Sequence, residues 1–449
     1  MSDANASSGD TAGALPDDDV WGRHSAFMEA NLRRNYTTNL THGVFGMTGF
    51  RLIYAPTIIP AYLYLLTGSA AAVGLGTALL QLGGTVSPIL SGAQVESRQR
   101  ILPYAITVGS MMRVMVLVLA IAAWTLEGTA LLVVTLASFL LLGFFSGAQR
   151  VAFQMLMAKL IPIDRRGRLQ GIRNMVGGLI AAVLAWVAGH YFIEQQWLGN
   201  GYATTFLTAF VLTSMGLVVL KTMIREPALV FPRPQRPFRE RLREFPQLME
   251  DRDFRFYLIA HSLGTAARVG APFWTIYAGT RLGLNGALIG SLSLLYLGAD
   301  TVSNVIWGNA GDRWGFRGVY AASLACSLAG VVLLILGGPG DGAAAIYAAF
   351  VLLGAGGSGW MLAASTMVLE FGEEKDTPMR LAFVTTVEGA IAAIGPVLAG
   401  VTVALAGFVP LFAAIIVALL AALIVLLMRV REPRHLQTAA AQGINPADP

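Results

Sequence analysis

Four ionisable residues stand inside stretches of this chain that are otherwise almost free of charge. Arg51 opens Arg51-Leu-Ile-Tyr-Ala-Pro56, and 217 residues later Arg268 opens Arg268-Val-Gly-Ala-Pro272, each within a segment apolar enough to cross a bilayer. An arginine at bilayer depth costs at least ~2.5–3.5 kcal/mol on insertion scales, so a duplicated one must recover that cost from a partner or a ligand. Guanidinium is planar, permanently charged and able to grip an oxyanion with two parallel hydrogen bonds, so the chemistry this pair suggests is binding of a negatively charged compound. The two acids at depth are Asp300 and Glu388, both in the second half of the chain. A carboxyl there can load and release a proton, or sit in a fixed ion pair with Arg268. Arg51 has no membrane-depth acid in its own half, so it must reach across to the other half, bind backbone carbonyls or meet a ligand. Arg150 is a further cation at depth, and Tyr54, Trp274 and Trp360 are aromatic residues that could line a cavity between these charges. Arg113 reads as structural, Arg173 as a residue near a helix end able to snorkel, and His190 and His261 as hydrogen-bonded helix residues.

The elements that position these residues are membrane spans. Of 449 residues 55% are apolar and only 13% charged, with a mean hydropathy of +0.63. A soluble chain of this length would need roughly twice that share of charge, so most of the surface faces lipid. Apolar runs of about 20 residues, the length a helix needs to cross ~30 Å of hydrocarbon, fall near 39–66, 70–90, 101–124, 130–160, 171–192 and 203–221, then 256–280, 286–307, 319–336, 343–371, 381–408 and 411–428. The expectation is an all-α integral membrane protein of twelve transmembrane helices. Each arginine of the pair lies about a dozen residues, or ~18 Å, along its span. The single cysteine, Cys326, excludes an intrachain disulfide.

Arg98, Arg100, Arg165, Arg166, Arg168, Arg313, Arg317, Lys375, Arg380 and both chain ends fall on one side, against Arg281 alone on the other. The positive-inside rule then makes both termini cytoplasmic. The first 35 residues are polar and lack the apolar core of a cleaved signal, and the expected localisation is multi-pass in a plasma or inner membrane. The domain organisation follows as an N-terminal tail (1–38), a six-helix bundle (39–221), a basic linker rich in arginine and proline (222–255), a second six-helix bundle (256–428) and a C-terminal tail (429–449). The bundles are duplicates. Gly178-Leu-Ile-Ala-Ala echoes Gly389-Ala-Ile-Ala-Ala, and Arg225-Glu226-Pro227 closes the first bundle as Arg431-Glu432-Pro433 closes the second. Two six-span repeats joined by such a linker describe a transporter whose bundles rock about a central site, which would bring Arg51 and Arg268 to similar depth on opposite walls.

One loop carries a more specific likeness. Gly308-Asn-Ala-Gly-Asp312-Arg313-Trp-Gly315-Phe-Arg317 resembles the loop signature of the major facilitator superfamily, G-x-x-x-D-R-x-G followed by basic residues. The first half holds a divergent copy, Gly92-Ala-Gln-Val-Glu96-Ser-Arg98-Gln-Arg100. The resemblance implies the twelve-span superfamily fold and a gate formed by Gly308, Asp312, Arg313, Gly315, Arg317 and Glu96, in which the acid pairs with arginine or caps a helix. The bland alternative is that these charges only fix topology. Organophosphate-exchanging members of the superfamily have an arginine in the first span and one in the seventh, so the resemblance also implies anion recognition by Arg51 and Arg268.

Enzymatic work is not expected. No metal-ligand spacing, no phosphate-cradling glycine loop and no base beside the lone cysteine is visible, so neither cofactor nor catalytic residue is assigned. The expected function is secondary active transport, by symport or antiport, of a small and anionic solute, with protons carried by Asp300 or Glu388. The expected partners are that solute and the lipid bilayer, with no nucleic acid, and the chain is expected to act as a monomer. Drug efflux through an aromatic cavity and lipid flipping are the alternatives.

Overall fold

We describe a computed structural model covering residues 18–96, 98–228, 248–371 and 377–432. The described residues are helical almost throughout, and no strand occurs among them. Span 1 consists of Asp18–Tyr54 and Ile58–Thr67; spans 2 to 6 are Ala70–Glu96, Leu102–Thr125, Gly128–Leu160, Ile163–Val187 with a π-helical extension Ala188–Ile193, and Gly201–Met223. Span 7 consists of Arg252–Arg268 and Ala271–Leu282; spans 8 to 12 are Gly286–Trp314, Phe316–Leu336, Ala343–Glu370, Thr377–Ala406 and Phe408–Arg429. Eleven of these are long and apolar enough to cross a membrane. The other is span 7, whose two pieces of 17 and 12 residues are each short because the chain breaks between them.

The breaks fall where the sequence places proline. Pro56 and Pro272 lack the N–H a continuous helix needs and crowd the preceding turn, so each span stops and restarts. In span 1 the first helix ends at Tyr54 and residues 55–57 are irregular; in span 7 the second helix takes Pro272 into its first turn. The first helix begins at Asp18, well before the apolar run at 39. Its polar start is anchored by Arg34, which donates to the carbonyl of Met223 (2.6 Å), and by Asn35, which exchanges hydrogen bonds with the backbone of Arg225.

Within the first half span 1 packs on spans 5 and 6, span 2 on span 4, and span 3 on spans 4 and 6. The second half repeats these relations: span 7 packs on spans 11 and 12, span 8 on span 10, and span 9 on spans 10 and 12. The halves meet along two seams related by the same repeat, span 2 with span 11 and span 5 with span 8. Because successive spans alternate direction, the arginine-rich loops share one face with the start of span 1 and the end of span 12. We call this the basic face and the other the opposite face.

Glycines bring the seams together toward the opposite face. A Cβ on Gly189 would strike the backbone of Gly290, and one on Gly74 the carbonyl of Pro396, so the helices meet backbone to backbone there. Hydrogen bonds cross between the halves in the same region: Ser293 Oγ donates to Thr57 Oγ1 (2.6 Å), Thr275 Oγ1 to the carbonyl of Pro56 (3.0 Å), and the Ala287 N–H to Glu194 Oε2 (3.0 Å). Toward the basic face the seam between spans 5 and 8 parts into a cleft of about 330 Å³ lined by Arg51, Arg168, Asn174 and Asn304.

Candidate functional site

The central cavity, about 380 Å³, lies where the two broken spans face each other. Tyr54 and Pro56 of span 1 and Arg268 and Pro272 of span 7 line it, with Arg150 of span 4, Tyr296 of span 8, Trp360 of span 10 and Glu388 of span 11. Arg268 sits in the last turn of its helix, where carbonyls lose their intrahelical partners and the helix dipole favours a cation. Its guanidinium lies over the Trp360 ring, 4.6 Å from the centroid. No carboxylate of a described residue is within ion-pair distance of it. Arg150 reaches the carbonyl of Gly84 from 3.3 Å and is otherwise exposed.

Arg51 is placed differently from its repeat partner. It lines the cleft between spans 5 and 8 rather than the central cavity. Its Nη1 donates to Asp300 Oδ2 (2.7 Å) and to Thr301 Oγ1 (3.0 Å), both on span 8 of the other half. The expectation that the two arginines face each other across one cavity therefore does not hold in this state. The alternative of a fixed ion pair between Asp300 and Arg268 is not formed either, since Asp300 bonds to Arg51. The reason is local: Gly178 of span 5 has no side chain, and a Cβ there would come within 2.9 Å of Arg51 Nη1 and clash with Thr301, so the arginine passes through the space it leaves.

Glu388 lines the central cavity with its side chain 39% exposed, and its Oε2 lies 3.9 Å from His261 Nε2. His261 is buried, stacks flat on Trp360 with ring centroids 5.1 Å apart, and shares a 3.2 Å hydrogen bond between Nδ1 and the Tyr320 hydroxyl. Trp274 does not line the cavity. It is buried behind Tyr296, 6.4 Å between centroids, because it falls on the packed face of the short second helix of span 7.

The loop motif also divides. Gly315 adopts φ +88°, which lets the chain turn from span 8 into span 9, and a Cβ on it would press on the Glu432 carboxylate. Arg317 is bound to the end of span 12, its N–H to Glu432 Oε2 (3.1 Å) and its guanidinium to the carbonyls of Leu426 and Leu427. Asp312 and Arg313 are exposed and make no hydrogen bond or ion pair with another described residue, and the space around Gly308 is open. The Glu96 side chain lies outside the described residues, as do residues 229–247 of the linker and the C-terminal tail from residue 433.

Arg113 is structural, buried and bound to the carbonyls of Thr213 (2.7 Å) and Gly109 (2.6 Å). Arg173 does not snorkel. It is buried over Phe153 beside Gly43, whose missing side chain admits it. Sequence reasoning missed Tyr296, which carries no distinguishing mark among the aromatic residues, and the placement of His261 beside Glu388. A signal for the latter existed: His261, Gly264 and Arg268 fall on one helical face, with the glycine leaving room between two polar residues.

A model of the Major Facilitator Superfamily matches the chain over residues 41–277 and again over 256–447. No curated protein matches it. Among solved structures, a single-site mutant of the nucleoside transporter NupG superposes with a TM-score of 0.68 at 13% identity, covering 87% of this chain and 98% of that one. A D-xylose-proton symporter gives 0.66 at 14% identity over 90% and 99%, and the human organic anion transporter MFSD10 (TETRAN) 0.61 at 16% over 88% and 99%. At these identities the likeness is one of fold. With the family model matched across both bundles, the chain belongs to the Major Facilitator Superfamily and is a transporter of the secondary kind rather than an enzyme.

Proposed function

We propose that this transporter moves a small organic anion, held between Arg268 and Arg150 in the central cavity, with protons as the coupling ion. The observation that carries the reading is the unequal treatment of the paired arginines. Arg51 is matched by Asp300 at 2.7 Å, whereas Arg268 lines the cavity with no ion-pair partner among the described residues. A guanidinium held at that depth without a counter-charge is supplied with one by an anionic ligand. The cavity, about 380 Å³, is of small-metabolite size, and Tyr54 and Trp360 offer apolar faces to the ligand's carbon frame.

On this reading the basic face is cytoplasmic, in a plasma or inner membrane, and the described state is closed to the exterior. Arg51 and Asp300 hold the halves together in this state, and separation of the pair would free Arg51 to meet the anion in another. Asp312 and Arg313, exposed here, become gate contacts when the basic face closes; Glu96 is assigned the matching place in the first half. The test is a melting-temperature screen of the purified protein against small carboxylates and phosphates, sugars and lipophilic cations, since a ligand that binds the folded state raises that temperature. Stabilisation by anions that is lost in Arg268→Gln and weakened in Arg268→Lys supports the reading. Stabilisation by lipophilic cations alone, or an unaltered response in Arg268→Gln, overturns it.

A further inference from the structure

His261, Gly264 and Arg268 lie on one face of the first helix of span 7, at successive turns. Gly264 offers no Cβ; one placed there would sit 3.1 Å from Trp360 Nε1 and 3.5 Å from the Tyr320 hydroxyl. Through this gap the indole of Trp360 enters between its neighbours, His261 stacking at 5.1 Å with an interplanar angle of 11° and Arg268 lying over the ring at 4.6 Å. The histidine and the arginine thus both pack on the Trp360 ring, one fully buried and the other lining the cavity.

The imidazole is left with one open atom. Nδ1 meets the Tyr320 hydroxyl at 3.2 Å, while Nε2 is buried without a hydrogen-bond partner and points toward Glu388 Oε2 at 3.9 Å. That spacing is too long for a hydrogen bond and closes with a sub-ångström adjustment of either side chain. If Nδ1–H donates to Tyr320, the lone pair of Nε2 faces a carboxylate, an arrangement that lacks one proton. Polar atoms this deeply buried are ordinarily satisfied, so the gap marks a place for something to bind.

We propose that His261 and Glu388 together form the proton site of this transporter, beside the ring of Trp360, and that proton and substrate anion bind with positive linkage. One proton taken from water bridges Nε2 and Oε2, and no other bond changes. The groups facing the dyad are Tyr257, which stacks on His261 from the preceding turn, Tyr320 on span 9, Arg268 on span 7 and Arg150 on span 4. The two hydroxyls are uncharged, so the potential at the dyad is set by the two guanidinium groups. An anion lodged between them cancels that positive potential and eases the arrival of the proton; by reciprocity the protonated dyad binds the anion more tightly. The linkage rests on the anion-transport reading, whereas the existence of the proton site does not.

Two measurements separate these parts. Infrared difference spectra of the purified full-length protein, acidified without ligand, read the proton site alone. The expected result is a pH-dependent shift of a carboxylate stretching band as the proton bridges it to the imidazole, a band change that is absent in Glu388→Gln and titrates at a different pH in His261→Gln. A spectrum in which neither variant alters the band overturns the dyad, and loss in Glu388→Gln with no change in His261→Gln removes the histidine from it. Sulfate then serves as a probe oxyanion that does not itself titrate near neutrality. Calorimetry in buffers of different ionisation enthalpy counts the protons taken up per sulfate bound between about pH 5 and 8. Sulfate affinity is expected to rise by up to about tenfold per pH unit lowered, with matching proton uptake, and both dependences are lost in Glu388→Gln. Sulfate binding with no uptake at any pH overturns the linkage. Failure of every anion to bind overturns the transport reading and leaves the infrared result to decide the proton site.

Discussion

Glu226 is the residue whose removal should cost this fold most for its size. It follows span 6 and accepts the N–H of Ile101 (2.7 Å) and Leu102 (2.8 Å) at the start of span 3, together with Lys159 Nζ (3.0 Å) at the end of span 4. Ile101 provides no side-chain cap of its own, so the carboxylate of Glu226 is what satisfies that helix start. The ion pair is almost wholly buried, its side chains 3% and 2% exposed. In Glu226→Ala the ammonium of Lys159 would keep only the carbonyl of Gln99, and two backbone donors would be stranded. Breaking a buried pair from one side costs about 3–5 kcal/mol, because the remaining charge is left uncompensated. Glu432, its counterpart in the second half, accepts one N–H, from Arg317, leaves Oε1 unpartnered and has no lysine, so Glu432→Ala should cost about 1–2 kcal/mol. Unfolding free energies by chemical denaturation in detergent micelles compare the two, and Glu226→Gln combined with Lys159→Met should recover much of the loss. A cost for Glu226→Ala no greater than that for Glu432→Ala would refute the reasoning.

The Arg51–Asp300 pair is about a fifth exposed, so a double-mutant cycle of Arg51→Gln and Asp300→Asn should show a coupling of only about 1–2 kcal/mol; strict additivity would mean the 2.7 Å contact has no energetic content. Gly189→Val sets a side chain against the backbone of Gly290 and should pry the seam open on the opposite face, lengthening spin-label distances between spans 5 and 8 there; unchanged distances would show that the seam can yield. Gly264→Val should displace Trp360 and, on the proposed function, weaken anion binding at least tenfold while Gly318→Ala, on an exposed helical turn with open space around it, does not; equal effects would remove the indole from the site.

Spans, their number and their duplication were legible because burial in lipid demands long apolar runs and because the repeat preserves both arginines, both prolines and the Arg-Glu-Pro ends. The interruption of spans 1 and 7 follows from Pro56 and Pro272 directly. What the sequence hid was partnership between the halves. Asp300 and Arg51 are 249 positions apart, and their meeting depends on Gly178 leaving space on a third helix. The Arg-Glu-Pro repeat was visible, but its purpose, a carboxylate returned to cap the third span of its own bundle, appears only when span 3 and the end of span 6 are adjacent. Arg173 shows the limit of depth arguments from sequence: near a helix end it had a route to water, yet Gly43 and Phe153 make a buried place for it.

The duplicated arginine has, in the end, two explanations that act at different levels. At the level of the helix, both copies occupy the last turn before a proline break, where orphaned carbonyls and the helix dipole favour a cation; this suffices to make an arginine tolerable in either half. It does not neutralise the charge. The first copy is neutralised by Asp300 across the seam, which converts it into a tie between bundles. In the second half the nearby acid, Glu388, lies toward His261 instead, and Arg268 packs over the ring of Trp360. On the proposed function, the copy that is satisfied holds the state while the other presents its charge to the anion in the cavity.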